Sequence, residues 1–166
     1  MAMDDYYTEK QWEGSVIGRP MAAIPDEQFM TLHRHWIWAN SAFQWFEREL
    51  GGSGAGGEGI DLTSNRSLSM YLWYSLLWSV VEGIQKHPVV VKGAFRNDVR
   101  KVREPLREAR NAVMHVSDDA YYDDRLFLIM VDPASAAAIR RVHRGYARLF
   151  FEELKARQAA AATEGD

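Results

Sequence analysis

The residues of this chain best suited to chemistry lie together in the run Arg110-Asn111-Ala112-Val113-Met114-His115. An imidazole titrates near neutrality, so His115 could take the proton of a ribose 2′-hydroxyl or protonate a departing oxygen. The guanidinium of Arg110 could hold the phosphate under attack and offset the charge that grows on it in the transition state. Asn111 would orient the imidazole or bind a phosphate oxygen. Those residue types suit metal-independent cleavage of RNA, in which the 2′-hydroxyl attacks the neighbouring phosphate. On one α-helix, Asn111 and His115 share a face, while Arg110 lies about 140° from His115 and nearer the apolar side. One helix does not converge the three. Two such helices meeting about a two-fold axis would, each chain bringing its His beside the Arg of the other.

The surroundings add supporting candidates. Glu104, Glu108, Asn111 and His115 form a polar stripe; Glu108 could tune His115, and Arg107 stands beside it. Glu82, in an otherwise nearly apolar segment, is expected to pair with Arg110 or with another cation of the same helix, since a charge seldom sits inside unpaired. Arg103 and the row Arg140, Arg144 and Arg148 are candidates for an RNA backbone, although such a row is most often a solvated face. The bland alternative for the motif is a surface Arg and a His stabilised by a helix C-terminus. No metal or cofactor is expected: His33 and His35 are two apart and do not share a helix face, and the chain has no Cys.

The elements that must position these residues are legible as helices. After a polar, aromatic arm at 1–24, Pro25, Asp26 and Glu27 open a first helix whose apolar residues include Phe29, Leu32, Trp36, Phe43, Phe46 and Leu50. It stops at Gly51-Gly52, and the glycine-rich stretch 51–59 reads as a flexible loop, without the Lys-Ser or Lys-Thr of a phosphate-binding loop. A second helix from about Ser67 to His87, ended by Pro88, is apolar almost all round and should be central. The third carries the clearest core stripe, at Val99, Val102, Leu106, Ala109, Val113 and Val116, with Pro105 expected to kink or split it. Residues 118–124 read as a polar connection and 126–131 as one extended segment. Pro133 opens a last helix with Ile139, Val142, Tyr146, Leu149, Phe150 and Leu154 inward and its arginines largely outward. The tail from 159 to 166 should fray.

Composition sets the class. With 166 residues, 47% hydrophobic and 26% charged, the chain has the make-up of one globular domain, here spanning 25–158. The expected fold is all-α, an up-and-down-like bundle of four to five helices. The net charge of −3 does not advertise a nucleic-acid binder, so any basic surface must be local. The absence of Cys fits a reducing cytoplasm, no secretory leader is evident, and the apolar run Met70–Val81 is too short to span a bilayer.

The Arg-polar-x3-His pattern of Arg110, Asn111 and His115, late in a helix of the second half of a helical bundle, resembles the motif of the HEPN superfamily. The likeness covers about residues 26–155 at the level of pattern. It implies a dimeric, metal-independent endoribonuclease of toxin–antitoxin, anti-phage or RNA-processing type. The expected partners are a second copy, an RNA substrate and an antitoxin or other regulatory protein, with no membrane. Two other readings remain at this level: a catalytically silent bundle of the same fold that binds protein or RNA, and a helical adaptor unrelated to nucleic acid. The adaptor would dock through its aromatic-rich first helix and N-terminal arm.

Overall fold

A computed structural model describes residues 6–52, 64–114 and 132–164, and among them the architecture is all-α. The helices are α1 (Glu9–Glu13), α2 (Asp26–Gly52), α3 (Asn65–Gln85), α4 (Gly93–Met114) and α5 (Pro133–Glu164). Most of the expected loop at 51–59, the connection at 118–124 and the extended segment at 126–131 lie outside the described residues, as does His115.

Local chemistry accounts for the helix boundaries. Thr8 and Gln11 form a reciprocal capping box on α1. Ser64 accepts from the backbone N–H of Ser67 to open α3, which ends before Pro88. At the start of α5 the carboxylate of Asp132 accepts from the backbone N–H groups of Ala134 and Ser135 at 3.2 and 3.0 Å, and Pro133 occupies a first-turn position where its missing N–H costs nothing. The Ser135 hydroxyl first, and then these backbone N–H groups, hold the Asp132 carboxyl below its ordinary value.

Helix α3 packs against both α2 and α4, and α5 lies mainly on α4. That central position suits a helix that buries Met70, Trp73, Leu77, Val80, Val81 and Ile84 together. The stripe of α4 is buried at Val99, Val102, Leu106 and Ala109, and Phe95, one turn earlier, joins it; the Val113 side chain and Val116 lie outside the described structure. Pro105 does not split α4: one helix runs through it. A proline in a helix interior costs about 3 kcal/mol, which the full burial of Val102 and Leu106 on either side offsets.

One further expectation is corrected, and a choice the sequence left open, whether the arm packs on its own bundle or on a partner chain, is decided. The tail does not fray from 159, because α5 continues to Glu164 through the alanine run at 159–162, alanine being the best helix former. The arm packs on its own bundle. Trp12, Met21 and Ile24 belong to the buried core, Val16 bridges Val91, and Ser15, fully buried, receives the backbone N–H of Phe95 at 3.2 Å. Gly93, at φ 57°, makes this approach possible, since a Cβ there would lie 2.9 Å from Ser15 Oγ.

Candidate functional site

Helix α4 carries Arg110 and Asn111 to its C-terminal end, one turn beyond the buried Leu106 and next to the buried Ala109. Both side chains are half-buried, and the guanidinium Nη1 of Arg110 donates to Asn111 Oδ1 at 3.0 Å. Arg110 makes no ion pair with any of the described residues. Met114 closes the helix, so His115 follows it directly in the chain but lies outside the described residues.

The neighbours of the motif are tied to one another. Arg107 holds Glu104 through both carboxylate oxygens and donates to Glu108 Oε1 at 2.9 Å. The hydrogen bond from Arg107 keeps the Glu104 carboxyl below its ordinary value. Arg103 is exposed on the same helix. Glu82 does not pair with Arg110 or with any other cation among the described residues. It is half-buried on α3, not enclosed, so water can solvate its carboxylate and no cation is required.

The arginine row of α5 does not point freely outward. Arg140 reaches Glu47 of α2 at 3.1 Å and lies over the Phe46 ring. Arg144 sits 4.1 Å over the ring of Tyr6, and Arg148 joins Glu9 at 2.5 Å and Glu152 at 3.0 Å above Trp12. The reason is tertiary: the arm and the edge of α2 cover the face of α5 on which the row lies. Arg141, in the same run, makes two bonds to Asp98 of α4, at 2.7 and 3.0 Å. Tyr7 also donates to Asp98, at 2.9 Å, and burial followed by the Asp98 charge pushes the Tyr7 hydroxyl far above its ordinary value. The open groove beside this cluster, about 620 Å³, is lined by Tyr6, Thr8, Gln11, Asn97 and Lys101 among others.

One histidine outside the motif is built into the core. His143 is 2% exposed and is surrounded by Trp36, Phe43 and Trp73. Trp73 Nε1 donates to His143 Nδ1 at 3.3 Å, and an indole N–H can only donate. The ring proton therefore sits on Nε2, which donates to Asn40 Oδ1 at 3.2 Å. Burial, with the nearby Arg144 charge second, lowers this imidazole to about 3. A sealed neutral ring positions α2, α3 and α5; it does not meet a substrate. Its place four after Ile139 and three before Tyr146, on the apolar stripe of α5, is a signal the sequence did contain.

Among the described residues no group of three His, Asp or Glu side chains could hold a metal ion, and no helix is long and apolar enough to cross a membrane. Comparison with protein-family models, curated proteins and solved structures finds no match to this chain.

Proposed function

We propose that this chain is a metal-independent endoribonuclease of HEPN type, acting in the cytoplasm as a dimer whose site is completed across a two-fold axis. The observation that supports the reading is the end of α4, where Arg110 bonds Asn111, makes no ion pair with the described residues, and stands five positions before His115. Arg107, Arg140, Arg141 and Arg148, by contrast, are held by carboxylates. A cation intended for a phosphate is better left without a carboxylate partner, because breaking an ion pair would offset the energy of phosphate binding.

In the proposed reaction the 2′-oxygen forms a bond to phosphorus as its proton passes to an imidazole, and the P–O bond to the departing 5′-oxygen breaks as that oxygen gains a proton. One His115 of the dimer acts as base and its partner's as acid. Arg110 holds the phosphate as charge develops, and Asn111 fixes the guanidinium. The products are a 2′,3′-cyclic phosphate and a 5′-hydroxyl. A toxin or defence role, with an antitoxin or other regulatory protein as partner, belongs to the same reading.

The test is cleavage of a mixed RNA in EDTA by the wild type, Arg110→Ala and His115→Ala, with circular dichroism to confirm that each is folded. Cleavage should survive chelation and fall by about 10²-fold or more in either variant. A folded wild type that cleaves nothing across varied RNAs would favour a second reading, a silent binding module. The net charge of −3, unhelpful to phosphate binding, is what favours that alternative.

A further inference from the structure

Helix α2 has two apolar faces. One enters the core through Phe29, Leu32, Ala39, Phe43 and Phe46. Nearly opposite, at about 100° per residue, Met30, Ile37 and Trp38 are 54%, 44% and 48% exposed. A helix of 27 residues that served only one bundle would carry polar side chains there.

The polar residues of this outer face have an order of their own. Glu27 stands towards one end and Arg48 towards the other, and neither has an ion-pair partner among the described residues. Their neighbours Asp26 and Glu47 are already engaged inward, by Arg157 and Arg140. Arg34 lies over the ring of its own Trp38, with its guanidinium carbon 5.5 Å from the centroid.

We propose that this face binds the same face of a second copy of the chain, the two α2 helices running antiparallel about a two-fold axis between Ile37 and Trp38. In that register Ile37 and Trp38 each lie beside their own symmetry mates at the centre, while Arg34 comes level with Ser41, Met30 with Trp45, and Glu27 with Arg48, each of these three occurring twice by symmetry. The apolar pairs lie at the centre and the ion pairs at the rim, the usual anatomy of a protein interface. Parallel pairing would instead set Glu27 against Glu27, Arg34 against Arg34 and Arg48 against Arg48, so charge selects the antiparallel arrangement. The paired stretch from Glu27 to Arg48 is about 31 Å long. A single helix pair lies at the small end of specific interfaces, so the dimer should form in a concentration-dependent way.

This pairing depends on α2 alone and does not need the nuclease reading. The outer face of α2 is turned away from α3, and α4 lies against α3, so the axis proposed here is not the one that would join two Arg110 side chains.

Sedimentation velocity of the full chain over a wide concentration range tests the association. The wild type should show a concentration-dependent doubling, from monomer to dimer or, where the Arg110 axis also holds, from dimer to tetramer and larger species, and Trp38→Glu should weaken that step by tenfold or more while the helical signal and thermal midpoint stay close to wild type. Glu27→Arg and Arg48→Glu should each weaken it severalfold and restore it when combined. Because the chain has no cysteine of its own, Ile37→Cys should cross-link to itself on oxidation. Glu27→Cys should cross-link only when mixed with Arg48→Cys. A wild type that shows no such step overturns the proposal, as does a step indifferent to Trp38→Glu. Efficient self-cross-linking of Glu27→Cys would overturn the antiparallel register.

Discussion

A single imidazole illustrates how burial turns a titratable group into a structural one. His143 is neutral in the fold because its proton on Nε2 and its lone pair on Nδ1 are both used, by Asn40 and Trp73, and because burial disfavours its charged form. Its folded value, lowered to about 3, lies below the ordinary value of about 6.5. The unfolded chain therefore takes up a proton first as the pH falls. Stability from this group is fully present above pH about 6.5 and is lost between there and about 3, at about 1.4 kcal/mol per pH unit. His33, lowered by partial burial, adds a contribution of the same sign. Urea unfolding between pH 7.5 and 4.5 should show midpoints falling with pH, and His143→Gln, which keeps a donor and an acceptor, should flatten that slope. A midpoint constant from pH 7.5 to 4.5 would mean that the folded ring accepts a proton.

At the scale of elements, the N-terminus of α4 is held by a residue from another part of the chain. Ser15 Oγ receives the Phe95 backbone N–H and donates to the Gln11 carbonyl at 2.6 Å, with no exposure to water. Ser15→Ala leaves a buried N–H unpaired and should cost about 1–2 kcal/mol in chemical denaturation. Two glycines separate close packing from tolerance. A Cβ at Gly145 of α5 would fall 2.5 Å from a ring carbon of Phe95, which is enclosed by Tyr7, Trp12 and Tyr146. Gly145→Ala should therefore lower the thermal midpoint, with overpacking of about 1–3 kcal/mol exceeding the gain of about 1 kcal/mol in helix propensity. At Gly83 the nearest atom is the end of the Leu32 side chain, which can turn aside, so Gly83→Ala should be close to neutral.

For the molecule as a whole, the arm is part of the folded unit. Among the side-chain ties that hold it are Tyr7 to Asp98, Glu9 to Arg148, and Arg19 to the buried Glu153. Arg157 completes the last of these, donating to Glu153 at 2.8 Å and to the carbonyls of Met21 and Ile24. Exposed ion pairs such as Glu9–Arg148 contribute little by themselves. Apolar burial contributes more: Trp12 is 4% exposed and packs on Phe95 with centroids 5.6 Å apart. Trp12→Ala should cost about 3–5 kcal/mol in urea unfolding. Removing residues 1–24 should abolish the cooperative transition, whereas a merely decorative arm would leave it in place.

The order of α2 to α5 was legible in the sequence, as were the core stripe of α4 and the central place of α3, because helical periodicity and caps are local properties carried by residues three and four apart; α1, five residues long, is too short to show a period and was read as part of the arm. So was the position of Arg110 and Asn111 at the end of a helix. What the sequence could not determine is which neighbour covers each face, since that depends on residues distant in the chain. The arginines of α5 illustrate this: their spacing suggested an outward row, yet Glu47, Asp98 and Glu9 draw three of them into ion pairs. Glu82 reads as a charge in need of a partner and is instead half-exposed. His143 becomes a core group only because α2, α3 and α5 meet around it. Periodicity places a side chain on a face of its own helix; long-range packing decides whether that face meets water, an ion-pair partner or the core.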